Sequence, residues 1–428
     1  MDYLFYNCNL PEEVDLSGFR MDEVTSTANM FAQNPNVKYI NVDGVYAPKL
    51  GWNFLTGILT TNTERLDFSK NETPMTYSYT YSSAGGSTNA YGNYPNLKEL
   101  LIPNATLALG LGPTGKIFNE SPLEKISVGT LDPKYYSATY PQYTWPISNL
   151  CSGRQYLKEA EIKQVNFINN YVNFANLFYN CPKLERFNLN NMDTSLNTSL
   201  NSMFKNCSVI ESIDLSWMET KLVTTMYHMF AYCYQLKELN ITGFDFSETT
   251  TINGMLAYTG FETYHIKDIN YAPKLTDISY LFRGCENLTE ITAEETTDFD
   301  LATSLAYWCE SCKNLVTMNL KGVSLPKVTN FTYMFQNCLN LEEIDLSGVT
   351  TASNVQAQYM FQNCAKLKKL DIRNWQINKI TTSSYYVEMF TNVPNDCQII
   401  VKDANCRSWI KSRKSTFTNV VLPSEIEE

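Results

Sequence analysis

Histidine is scarce in this chain, charge is thin, and basic charge is thinner still. Its 428 residues include two histidines, and 33 Lys and Arg are outnumbered by 44 Asp and Glu, for a net charge of −11. Nucleic-acid binding needs Lys/Arg surfaces to neutralise phosphates, so that class of partner is excluded. An anionic membrane surface calls for clustered basic residues, and none stand out. No apolar run is long enough to span a bilayer, so direct membrane insertion is not expected. A glycine-rich phosphate loop is also missing. The N-terminus, MDYLFYNCNLPEEVDL, lacks the basic segment and small-residue cleavage site of a signal peptide. The expectation is either a trimmed longer precursor or a protein not exported by the usual route.

What the chain has in abundance is self-similarity. YMFQNCLNLEEIDLSG (333–348) is followed by YMFQNCAKLKKLDIRN (359–374). With Phe335 as anchor, equivalents recur at Phe5, Phe31, Gly57, Tyr91, Ile117, Cys151, Phe178, Phe204, Phe230, Leu256, Phe282, Trp308, Phe361 and Phe390, at a base period of 26 residues. A fixed period of this size marks a repeat architecture. In each repeat, residues such as Leu341, Ile344 and Leu346 alternate with polar ones, as a half-buried strand does. The other half, as in VTTMYHMFAYC (223–233), sets Val223, Met226, Met229 and Phe230 on one face of a helix. Thr- and Ser-rich segments before it, such as Thr249 to Thr251, would cap that helix. One repeat cannot bury both apolar faces, whereas stacked repeats can. The expected fold is therefore an α/β solenoid of about fifteen 26-residue helix–strand units over residues 1–396, with a parallel sheet on one face. QIIVKDANCRSWIKSRKSTFTNVVLP (398–423) departs from the pattern and reads as strand, helix capped by Asp403, then strand. A C-terminal cap over 397–428 is expected, because the last repeat exposes its core.

The pattern M-F-x-x-C-x-x-L-x-x-L-D-L-S, seen in SMFKNCSVIESIDLS (202–216), HMFAYCYQLKELNI (228–241), YLFRGCENLTEI (280–291) and the two stretches above, resembles the BspA-like leucine-rich-repeat surface proteins of gut and oral bacteria and some of their phages. It covers 170–428 and 3–42 and is degenerate from about 50 to 165. The resemblance implies a curved leucine-rich-repeat solenoid that binds proteins or glycans. It implies no catalytic residues and no cofactor, and none are carried over.

The cysteines fit a repeat better than a site. Cys8, Cys181, Cys207, Cys233, Cys285, Cys338 and Cys364 lie three residues past their anchors, and Cys312 lies four past. Metal ligands converge from mixed positions. A ladder of small buried thiols behaving as apolar side chains is expected instead. Cys309-x-x-Cys312 has no second pair nearby in the sequence, and Cys397 and Cys406 could bridge the cap. His228 reads as a surface or packing residue, and His265 occupies an outward strand position. Neither has a nucleophile and an orienting group beside it, so no catalytic residue is assigned. The outward strand position, Asp15, Asn41, Asp67, Leu101, Ser127, Glu161, Asn188, Asp214 and onward, offers an acidic stripe. Calcium needs six to eight oxygens about one point, which a single file does not supply. A polar ladder belonging to the repeat is the expectation, and no metal is assigned.

Two repeats carry eight extra residues each, near 71–89 and 130–146. The first insertion holds Tyr77, Tyr79 and Tyr81, with Tyr91 and Tyr94 at its foot. The second holds Tyr135, Tyr136, Tyr140, Tyr143 and Trp145. Ser, Thr, Gly and Asn fill the spaces, a mixture that paratopes use for rigid contact and adaptable hydrogen bonding. Both insertions should leave one edge of the sheet, about 10 Å apart at the strand spacing. These ten aromatics are the candidate ligand-binding residues; the competing expectation is that they fold back to patch a poorer core. The functional expectation is a non-catalytic binding or adhesion module outside the bacterial cytoplasm. Its partner would be a protein or glycan on a host or cell surface. The alternative is a bacteriophage virion component, a tail-fibre or receptor-binding protein on the same scaffold.

Overall fold

The computed structural model describes residues 1–42, 44–47, 49, 58–69, 76–78, 94–108, 118, 121–132, 148–165, 173–189, 192–269, 272–293, 299–320, 323, 325–350 and 354–426. They form two compact bodies, Met1–Leu196 and Asn197–Glu428. The anchors Gly57, Tyr91 and Ile117 lie outside the described residues.

The first body holds a parallel sheet in the order β1 (Glu13–Asp15), β2 (Tyr39–Asn41), β3 (Arg65–Asp67), β5 (Glu99–Ala108), β6 (Lys125–Asp132), β7 (Glu159–Val165) and β8 (Arg186–Asn188), with β4 (Thr76–Ser78) beside β5. The second holds β9 (Ser212–Asp214) paired with β10 (Glu238–Asn240). It also holds a seven-stranded parallel sheet, β11 (Thr263–His265), β12 (Glu290–Thr292), β13 (Thr317–Asn319), β14 (Glu343–Asp345), β15 (Lys369–Ile372), β16 (Gln398–Val401) and β17 (Val420–Val421). Register follows the sequence period, as in Glu343↔Lys369, Ile344↔Leu370 and Asp345↔Asp371. Each body is thus a parallel-sheet solenoid. The second residue of β14 and of β15 turns inward, and Ile344 and Leu370 are buried.

The anchors are the core. Phe204, Phe230, Phe282, Phe335 and Phe361 are fully buried. Phe335 stacks on Phe361, and Phe361 on Phe390, at 5.8 Å between ring centroids. Full burial of such a side chain contributes roughly 2–3 kcal/mol relative to exposure.

The expected helix is replaced by a run of turns at the anchor segment. Phe331, Tyr333, Phe335 and Asn337 donate their N–H groups to Gln356, Gln358, Met360 and Gln362 of the next repeat, at 2.7–2.9 Å, while Met334, Gln336 and Cys338 donate three residues back. Tyr333 and Asn337 take φ of 60° and 62°, and the equivalent residues of neighbouring repeats do the same. A helix keeps its hydrogen bonds inside one segment and has no place for left-handed residues. Here every second donor goes to the neighbouring repeat, and left-handed residues bend the chain between donors. The i, i+3, i+7 spacing that suggests a helix equally serves successive three-residue turns. Val223, Met226, Met229 and Phe230 are all buried on that face. The Thr-rich segments therefore cap no helix. They form a second inter-repeat ladder, in which Thr250 donates N–H to Thr224 and Thr276 to Thr250 at 2.8 and 2.9 Å. Single parallel bridges beside it run from Ser199 to Gln356.

The C-terminal segment is strand, helix, strand. β16 joins the edge of β15, helix α2 (Ala404–Arg413) follows, and β17 pairs with β16. Asp403 caps α2 by accepting from the N–H of Cys406 at 2.9 Å. A four-residue helix, α1 (Ser148–Cys151), precedes β7.

Candidate binding face

Most strands of the first body are three residues long, but β5, β6 and β7 run for ten, eight and seven. After an irregularity between Ile102 and Thr106, β5 and β6 pair a second time, Thr106↔Thr130 through Ala108↔Asp132. β6 and β7 continue the same ladder at Thr130↔Gln164 and Leu131↔Val165, and β4 adds to its far side, Thr76↔Thr106 through Ser78↔Ala108. β4 lies within the first insertion, and the end of β6 opens the second. Both flank the end of β5, so the stems stand two strand spacings apart, roughly 10 Å.

Below this ladder, on the outward face of β5–β8, is a groove of about 570 Å³ whose lining includes Ser69, Leu101, Lys125, Glu159, Lys163 and Phe187. Its floor is charge-compensated. Lys125 meets Glu159 at 2.9 Å, and Arg186 also pairs with Glu159. These two cations, Lys125 first, hold the Glu159 carboxyl below the usual carboxylate range. Ser127 donates to Glu161 at 2.5 Å. Partly exposed pairs of this kind contribute about 0–1 kcal/mol each. Their alternating sign gives little preference for a ligand of either charge.

Of the ten aromatics singled out, Tyr77 is placed by its backbone in β4, opposite Leu107. Tyr79, Tyr81, Tyr91, Tyr135, Tyr136, Tyr140, Tyr143 and Trp145 lie outside the described residues. Tyr94 is in the core, its ring 5.9 Å from that of Phe118, and burial pushes its phenol up to about 12. For Tyr94 the structure thus shows a packing role.

The chemistry of the cysteines and histidines is structural. Cys8 is exposed, and the other cysteines are buried thiols outside any disulfide, Cys397 and Cys406 included. Burial pushes the Cys233 and Cys285 thiols up to about 12. The thiols are not only apolar filler. Cys233, Cys285, Cys312 and Cys364 lie 3.0–3.2 Å from the anchor carbonyls of Phe204, Leu256, Phe282 and Phe335 in the preceding repeat. Asn34 stands at the same repeat position and donates to Phe5 O at 2.6 Å. Burial, with Lys205 nearby, pulls the His228 imidazole down to about 4. His265 Nδ1 lies 2.7 Å from Thr292 Oγ1. Among the described residues no group of three or more His, Cys, Asp or Glu is arranged to hold a metal ion. Outward carboxylates instead fix the bend after β1, β9 and β14: Asp15, Asp214 and Asp345 accept from the N–H two residues on, at 2.8–2.9 Å.

Sequence reasoning missed two features. Buried Arg154 donates to Leu150 O at 3.0 Å and Phe118 O at 2.6 Å, tying together the irregular repeats; a lone Arg in a degenerate repeat carries no periodic signal. In the second body Tyr280, Tyr307, Tyr333 and Tyr359 stack face to face at 4.6–4.7 Å. Arg283 lies over Tyr280 and Tyr307 and pairs with Glu310 at 2.7 Å. That ladder was legible as a Tyr two residues before the anchors Phe282, Phe335 and Phe361 and one before Trp308.

Residues 254–391 and 307–426 match the BspA type leucine rich repeat region, and residues 147–269 and 172–295 match a family described as Mycoplasma protein of unknown function, DUF285. Residues 254–426 are therefore BspA-type leucine-rich repeats, as the sequence resemblance indicated. No curated protein matches the chain. Among solved structures, a leucine-rich repeat protein from Bacteroides ovatus is 14% identical, with 98% of this chain and 86% of that chain covered at a TM-score of 0.41. A leucine rich cell surface protein from Faecalibacterium prausnitzii is 16% identical, covering 69% of this chain and 87% of that one at 0.28. An internalin from Listeria monocytogenes is 13% identical, covering 83% and 85% at 0.22.

Proposed function

We propose that this chain is a non-catalytic binding module that works outside the bacterial cytoplasm, at a cell surface or secreted, and adheres to a protein or glycan. The observation that carries the reading is the groove over β5–β8 beneath the ladder from which both Tyr-rich insertions leave. Tyr77, Tyr79, Tyr81, Tyr91, Tyr135, Tyr136, Tyr140, Tyr143 and Trp145 would supply aromatic contact above a floor of paired charges. Loops on a rigid scaffold are where binding tends to reside. A chemical step finds little support. The buried thiols are held in their neutral form, and the hydroxyl–carboxylate pair of the groove, Ser127 and Glu161, has no histidine base beside it, since both histidines belong to the second body. Purified chain screened against host glycans, matrix proteins and intact gut bacteria should bind a restricted set. Uniform absence of binding across all three would count against an adhesive role.

A further inference from the structure

A second groove, of about 580 Å³, lies at the C-terminal end of the second body, between the turn 386–392 and helix α2. Its edge is an interrupted ladder. Ala357, Tyr359, Phe361 and Asn363 donate their N–H groups to Tyr385, Val387, Met389 and Thr391 at 2.7–3.0 Å. One repeat later the equivalent donors are Glu388, Phe390 and Asn392. Glu388 and Asn392 keep the left-handed φ of the pattern, 51° and 62°. Among the described residues no carbonyl accepts from these three N–H groups. Where another repeat would stand, α2 holds Trp409, Arg413 and, just beyond its end, Lys414 across an open space. An exposed edge with donors at every second residue is a template for an added chain.

The cations facing this edge differ. Lys414 Nζ donates to Phe390 O at 3.4 Å and also to Val393 O, so its charge is engaged. The Glu388 carboxylate accepts from the Gln362 amide. Arg413 is exposed, and its guanidinium is held over Tyr386 at 4.6 Å and Trp409 at 5.2 Å. Among the described residues no carboxylate pairs with it. The two rings stand nearly perpendicular, at 83°, and hold the guanidinium between them with no carboxylate of the described residues on its N–H donors, which suits a bidentate carboxylate.

We propose that this groove binds a short extended peptide bearing a carboxylate. Alternate carbonyls of the peptide accept from the N–H groups of Glu388, Phe390 and Asn392, and the carboxylate sits on Arg413. The site is independent of the strand face of the first body. The volume accommodates about four residues, so affinity is modest and tolerant of side-chain identity.

Three hexapeptides with a BODIPY label, which has no carboxylate, test this on the full chain. Thr-Val-Thr-Val-Thr-Glu amide carries a side-chain carboxylate, Thr-Val-Thr-Val-Thr-Gln with a free terminus carries a terminal one, and the Gln amide carries none. By fluorescence anisotropy at least one acidic peptide binds about tenfold or more tightly than the neutral one, as a charge-assisted hydrogen bond requires. Which acidic peptide binds distinguishes an internal segment from a chain end. Arg413→Gln abolishes that preference while leaving the melting temperature near wild type. Bound peptide also slows amide hydrogen exchange across 386–392. Equal binding of all three peptides, no binding at millimolar concentration, or binding without slower exchange in 386–392 would overturn the proposal.

Discussion

Cys364 shows what the recurring thiol does. Its Sγ lies 3.2 Å from Phe335 O of the preceding repeat, the bond that Asn34 makes to Phe5 O, whereas Thr259 at the same position turns its hydroxyl to the anchor of its own repeat, Leu256 O, at 2.8 Å. A hydroxyl at this position thus stays hydrogen-bonded to an anchor carbonyl, whereas a methyl leaves Phe335 O one donor short. Cys364→Val should be less stable than Cys364→Thr by about 1 kcal/mol in urea unfolding; the reverse order would make the position purely apolar. Gly284 is a different case. It has φ +68°, and an added Cβ would lie 2.2 Å from the Tyr258 ring. Gly284→Ala should cost about 1–3 kcal/mol, measured the same way. His228 carries a pH dependence. Its folded value of about 4 lies below the ordinary 6.5, because burial disfavours the charged ring. The unfolded chain therefore takes up the proton first. This group's contribution is fully present above about pH 6.5 and is lost as pH falls from there towards 4. Tyr stands at the equivalent, left-handed position in Tyr333 and Tyr359. His228→Tyr should thus flatten the fall in melting temperature between pH 6.5 and 4.5 relative to wild type, and an unchanged slope would contradict the assignment.

At the scale of the element, the strands were legible and the other half of the repeat was not. Alternation in L-x-x-I-x-L permits a strand and little else. The spacing of Val223, Met226 and Met229 fits a helix and a chain of turns equally well. The deciding residue was present: Asn precedes Cys at Asn7, Asn180, Asn206, Asn337 and Asn363, and each has φ between 55° and 65°. Asn tolerates the left-handed region, which a helix interior does not contain. The same turns align one Tyr per repeat into the stack from Tyr280 to Tyr359. Tyr307→Ala removes two of its contacts, at 4.7 and 4.6 Å. Each stacked pair contributes about 0.5–1.5 kcal/mol beyond area burial, so the loss should be about 1–3 kcal/mol. Faster amide exchange should be confined to 280–333, because repeats contact their neighbours.

At the scale of the whole molecule, the period revealed the repeat, its register and its atypical end, including the Asp403 cap. It could not reveal the second ladder of β4–β7, because pairing after the irregularity at Ile102–Thr106 breaks the 26-residue rule that made the rest visible. The candidate face was legible only as an interruption of the period. Tyr94, read as part of that interruption, belongs to the core, since composition alone does not separate an aromatic that packs from one that is displayed. The proposed binding face joins the two insertions to the groove over β5–β8, and removal of 72–88 and 132–145 together tests it most directly. The affinity of the variant is then compared with that of the intact chain for whichever glycan or protein the screen selects. A loss of about tenfold or more is expected, with far-UV circular dichroism and melting temperature retained, as removal of central aromatic contacts requires. Unchanged affinity in a folded variant would contradict it.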